Sequence, residues 1–142
     1  MFSMRAARSA LRMLEEEARR YHVAPRTLAE SILDEGLRMR RHPGIVFVDR
    51  GGGRDAVLAG RPRLSVWQVV QAAHGARSRS IAARTLGIDP PELERALAYA
   101  AEYPDEIEAA VAENDEAFAR AKRLYPPLLT PPRRPRRAAA PR

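Results

Sequence analysis

The chain has no cysteine in its 142 residues, one tryptophan, three phenylalanines and a single lysine, Lys122. Without cysteine there is no disulfide framework and no thiolate nucleophile or ligand, which fits a reducing cytoplasm. No stretch has the roughly 20 apolar residues needed to span a bilayer, so no membrane association is expected. The N-terminus carries arginines and then acids, unlike the continuous apolar core of a signal peptide. His22, His42 and His74 are scattered without metal-ligand spacing, so neither metal nor cofactor is expected. No Ser/His/Asp or paired-carboxylate constellation is evident, and the expectation is a protein that is not an enzyme. The three glycines Gly51–Gly53 are followed by no Lys-Ser/Thr and no helix, so they read as a hairpin turn rather than a phosphate loop.

What the chain does have is arginine, unevenly placed. The formal net charge is +7. Residues 1–42 contribute +3, residues 43–125 contribute −1, and the last seventeen residues hold five arginines and no acid. Attraction for polyanions therefore sits mainly at the two ends. An Arg- and Ala-heavy composition also arises from a GC-rich genome, so the count alone says little about nucleic acid. Apolar residues make up 45% of the chain, enough for one medium domain or two small ones.

Three segments follow from periodicity. In residues 1–42, Phe2, Met4 and Ala6 alternate with Ser3, Arg5 and Ala7, the period-two pattern of a half-buried strand. Leu11, Leu14, Ala18 and Tyr21 then recur at helical spacing. A second helix opens at Pro25, with Leu28, Ile32, Leu33 and Leu37 on one face and Gly36 weakening it near its end. In residues 43–125, IVFV and DAVLA read as two strands of a hairpin. GRPRL leads into a helix ending at Gly75, and two further helices occupy Ser80 to Tyr99. A last helix follows Pro104, with Ile107, Val111, Phe118 and Leu124 as its apolar positions. Residues 126–142 hold too many prolines for regular structure and read as an extended or disordered basic tail. The fold class expected is mainly α with short β elements.

The stretch SIAARTLGIDPPELERALAY fits a helix-turn-helix frame. Gly87 sits at the turn, Ala83 lies where the two helices approach, and Ala82, Leu86, Ile88, Leu93 and Ala96 take the buried positions. Asp89 can cap the second helix, with Pro90 at its first position and Glu92 completing a capping box. Its chemistry is poor for reading bases, because Glu92 and Glu94 stand where base-contacting side chains normally project. The pair reads as structural or dimer-forming, and the arginines around it, Arg61, Arg63, Arg77, Arg79 and Arg84, are its candidate DNA contacts.

The first forty residues match a ribbon-helix-helix plan, in which the strands of two chains pair into a ribbon that enters the major groove. Ser3 and Arg5 would face the bases, Arg5 being suited to guanine. Arg26 and Thr27 open the second helix, whose free N–H groups can hold a phosphate. The competing reading has the first helix begin at Ser3, with no strand. In the tail, Arg133, Arg134, Arg136 and Arg137 can neutralise phosphates or pair with carboxylates on a protein partner. The acids from Glu102 to Glu116 form either a solvated face or a docking surface for a basic partner.

HPGIVFVD, AGRPRLSVWQVV and LGIDPPELERALAYAAEYPDEI closely resemble the domain-of-unknown-function family 433. The most specific pieces are Gly60, Arg63, Val66 and Trp67 and the ALAYAAEYPDEI ending. The preceding LAESILDEGLRMRRHPG is similar to members that carry a ribbon-helix-helix-like head. The family often has Gly-Thr-Arg where this chain has Arg61-Pro62-Arg63, and the Arg-Pro tail lies outside its pattern. The resemblance implies a DNA-binding antitoxin and autorepressor, partnered by a PIN-domain-type ribonuclease toxin. The organisation expected is a dimerising, DNA-binding head (1–42), a helix-turn-helix-like domain (43–125) and a basic tail (126–142). A homodimer on double-stranded DNA is expected; the alternative is a dimeric scaffold that binds one protein through its acidic helix.

Overall fold

The structure, a computed structural model, describes residues 5–51 and 53–125. Among them it is mainly helical, with six helices around one small antiparallel sheet. Helix α1 (Arg8–Arg20) and helix α2 (Pro25–Arg41) form the head. Pro25 occupies the first turn of α2, where its missing N–H leaves no bond unmade. Gly36 does not end α2, which runs five residues further, to Arg41.

Among the described residues the N-terminal strand does not form. Arg5, Ala6 and Ala7 belong to no strand, and α1 begins at Arg8, so neither the ribbon nor a helix starting at Ser3 describes these three residues. Ala7 has extended backbone, but among the described residues no strand lies alongside to bond with it. Phe2, Ser3 and Met4 lie outside the described residues.

Strand β1 (Ile45–Arg50) pairs antiparallel with β2 (Gly53–Leu58), in register from Ile45 opposite Leu58 to Arg50 opposite Gly53. This is the expected hairpin; Gly52 of its turn lies outside the described residues. A third strand, β3 (Arg61–Ser65), takes the place of the expected lead into a helix. It pairs with β2 through Val57 opposite Ser65 and Leu58 opposite Arg61, with a register shift between them. Pro62 is tolerated because β3 is an edge strand.

Ser65 then caps α3 (Val66–Gly75), its backbone N–H donating to Gln68 in a capping box. Helices α4 (Arg79–Leu86), α5 (Pro90–Glu102) and α6 (Pro104–Leu124) follow. The core lies between the sheet and α3, α5 and the start of α6. Ile45, Leu58, Val66, Val69, Leu93 and Tyr99 are each at most 1% exposed, and Ile107 closes the cluster. Each such aliphatic side chain contributes about 2 kcal/mol on burial.

Head and body differ sharply in burial. Ala18 is the only buried residue of α1, and α2 has none. Helix α6 also departs from expectation, because Phe118 and Leu124 on its apolar stripe are exposed. The helix outruns the core it starts on.

Candidate nucleic-acid interface and the head–body junction

The helix-turn-helix forms as its residues dictate. Ser78 caps α4 by accepting from the Ile81 N–H at 3.2 Å. Gly87 ends it with φ 65° and ψ 35°, the left-handed conformation that glycine adopts without steric cost. Ile88 N–H reaches back to the Ala83 carbonyl at 3.0 Å, which closes the turn. Ala82, Ala83, Ile88, Leu93 and Ala96 are buried and Leu86 is half-buried, as the frame requires.

The two carboxylates at the start of α5 are engaged within the chain. Glu92 accepts from the Asp89 N–H at 2.8 Å and meets Arg61 Nε of β3 at 3.4 Å. The Asp89 N–H, and after it Arg61, hold the Glu92 carboxyl below the usual carboxylate range. Glu94 pairs with Arg79 of α4 at 2.8 Å. These pairs reduce the negative field at the end of α5, and they commit Arg61 and Arg79 to internal contacts. Arg63, Arg77 and Arg84 are exposed and join none of the ion pairs found among the described residues.

In the head, Arg26 is exposed and bound to Glu30 one turn on, at 2.9 Å. Thr27 is exposed in the first turn of α2. Arg5 is exposed just before α1. Ser3, Arg133, Arg134, Arg136 and Arg137 lie outside the described residues. The candidate cations therefore fall into two groups, one at the start of the head and one around the helix-turn-helix.

Behind Arg5 runs an apolar groove of about 650 Å³ between α1 and α2. Ala6, Leu11, Leu14, Ile32, Leu33 and Leu37 line it. Leu11, Ile32, Leu33 and Leu37 are each 45–56% exposed, which is unusual for so many large apolar side chains on one face.

Sequence reasoning did not find the junction between head and body. Arg38 Nη1 of α2 donates to Tyr99 OH of α5 at 3.0 Å and also binds Glu106 of α6. Tyr99 OH in turn donates to Glu106 at 2.8 Å, and the guanidinium lies 4.1 Å from the centre of the Tyr103 ring. Arg38 Nε is 2.8 Å from Asp34 but not aligned for a hydrogen bond. Burial alone would lower the Arg38 pKa; Tyr99 and Glu106 outweigh it and hold the group charged. Burial first, then Glu106, pushes the Tyr99 phenol well above its ordinary value, while Arg38 opposes that shift.

Beside this cluster, His42 Nε2 meets Glu102 at 2.7 Å, and Arg41 binds the other Glu102 oxygen at 2.7 Å. The His42 hydrogen bond is the main cause that holds Glu102 below the usual carboxylate range. A second tie joins α2 to β2, where Arg54 grips Glu35 bidentately at 2.8 and 2.7 Å. Tyr21 OH donates to Asp49 at 3.2 Å across the same cleft. The head is thus clamped to the body at several points along α2, not hung on a free linker.

Among the described residues no three His, Asp or Glu side chains come together as a metal ligand set, and no helix is long and apolar enough to cross a membrane. No family model matches the chain, and neither does a curated protein or a solved structure.

Proposed function

We propose that this protein is a non-enzymatic, cytoplasmic DNA-binding regulator of the antitoxin type, acting as a homodimer assembled through its head. The observation that carries this reading is the uncovered groove between α1 and α2. A pair of helices of 13 and 17 residues that buries only Ala18 requires a further apolar surface, and a second copy supplies it with twofold symmetry. Ala6 lies on the groove's wall, so a partner seated there brings two Arg5–Ala7 segments close together. In that setting the extended residues before α1 gain the neighbouring strand that one chain cannot provide.

In this reading Arg5, with Ser3, contacts base edges, and the start of α2 at Arg26 and Thr27 fixes a phosphate. Arg63, Arg77 and Arg84 supply further phosphate contacts, which add affinity but no sequence information. The toxin half of the proposal rests on the resemblance of residues 42–107 to family 433, together with the basic tail. There, Arg133, Arg134, Arg136 and Arg137 have the chemistry to enter the acidic site of a PIN-type ribonuclease.

The test is a head-face variant, Leu33→Glu with Leu37→Glu, examined by light scattering and by gel shift on the DNA upstream of its own reading frame. A joint drop in assembly mass below the wild type's and loss of sequence-specific binding supports the proposal. A mass unchanged from the wild type's, or specific binding by the variant of reduced mass, overturns it. Weak, sequence-independent binding by the wild type would favour the scaffold reading through the acidic helix.

A further inference from the structure

Helix α6 carries a second unpartnered face. Ile107, Val111 and Phe118 recur at four and seven residues and so share one side of the helix, and Tyr125 follows as its C-cap. Ile107 is 6% exposed and sits in the core, whereas Phe118 is 55% and Tyr125 59% exposed. Every residue from 112 to 120 is exposed. The same stripe that begins as core continues past the body with none of the described residues covering it.

The charge along α6 is segregated. Six acids occupy Asp105–Glu116 with no basic residue among them, while Arg120, Lys122 and Arg123 follow with no acid. Asp115 and Lys122 lie on the same flank of the apolar stripe, two turns apart, about 10 Å along the axis. That separation is too long for them to pair with each other. Neither takes part in an ion pair among the described residues.

We infer that α6 pairs antiparallel with α6 of a second copy of this chain, on a twofold axis at Phe118. Antiparallel pairing sets the basic end of each helix beside the acidic half of the other. Asp115 and Lys122 stand three and four residues on either side of Phe118, so the axis brings Lys122 onto the partner's Asp115, and its symmetry mate does likewise. A parallel pair would instead align acid with acid. The contact is isologous, as a twofold requires, and uses a surface separate from the head groove.

The chain's lack of cysteine makes the test direct. In the full chain, Phe118→Cys places two thiols at the axis, within the short reach a disulfide demands, and oxidation yields a covalent dimer. Glu116→Cys, on the outer face, yields little. On the Phe118→Cys background, Lys122→Asp or Asp115→Lys alone lowers the crosslinked fraction at least fivefold, and the two together restore it. Absence of crosslinking at position 118, equal crosslinking at 116, or no restoration by the charge swap overturns the inference. Crosslinking that appears only after removal of residues 126–142 assigns the face to the chain's own tail and equally overturns it. No DNA enters the measurement, so its outcome is independent of the DNA-binding proposal.

Discussion

Arg54 on the middle strand holds Glu35 on α2 through two parallel hydrogen bonds of 2.8 and 2.7 Å. Glu35 stands between Leu33 and Leu37, which line the groove, so one helix both lines the apolar face and fastens it to the body. Arg38 repeats the arrangement one turn later, reaching Tyr99 and Glu106. Head and body are therefore joined at two successive turns of α2.

The junction sets an order of mutational costs. Arg38→Ala removes the cation from Glu106 and leaves the buried Tyr99 with Glu106 as its one hydrogen-bond partner, and is expected to cost about 2 kcal/mol. Arg54→Ala removes a cation that is itself 41% exposed, against 20% for Arg38, and costs about 1 kcal/mol, while Arg26→Ala costs less than about 0.5 kcal/mol. Urea unfolding followed by circular dichroism checks the ranking. Equal effects from Arg38 and Arg26 would contradict it.

Gly87 gives a prediction of a different kind. Its φ of 65° is strained for any residue with a Cβ, although nothing lies within 4 Å of where that atom would stand. Gly87→Ala is therefore expected to cost about 1–2 kcal/mol from backbone strain alone. Gly36→Ala, in the interior of α2 with the same free space, is expected to stabilise by about 0.5–1 kcal/mol. Opposite signs for the same substitution in thermal melts separate strain from crowding.

Acid should loosen the junction. Glu102 is held below its ordinary value, chiefly by His42 and also by Arg41. A carboxyl depressed in the folded state adds stability above its unfolded pKa, about 4.3, and that stability is lost as pH falls through the lower folded value. Glu92, depressed by the Asp89 N–H and Arg61, contributes in the same direction. Urea midpoints measured downward from neutral pH should fall in that window. Glu102→Gln should start from a lower midpoint and show a shallower acid limb; an unchanged limb would show that the contact contributes nothing.

The parts legible in the sequence are those governed by neighbours along the chain. Asp89 as a cap, Pro25 and Pro90 in first turns, and Gly87 at the turn all act within four residues, and the structure places them as expected. Strand β3 was not legible, because Arg61-Pro62-Arg63 has loop composition and becomes a strand only by pairing with Val57 and Leu58. The junction was not legible either, since Arg38 and Tyr99 stand 61 residues apart and no spacing rule links them. In the sequence Glu92 and Glu94 stand where base-contacting side chains normally project. Their partners Arg61 and Arg79 lie 31 and 15 residues away, and only the fold shows the charges already paired.

The central claim is that the residues before α1 and the paired head recognise DNA. It is tested most directly by fluorescence anisotropy with a labelled duplex from upstream of the reading frame and a scrambled duplex, across a range of salt. The account predicts salt-sensitive binding that prefers the upstream duplex, with Arg5→Ala costing about 1–3 kcal/mol on that duplex and much less on the scrambled one. Specific binding that survives unchanged when residues 1–8 are removed would contradict it.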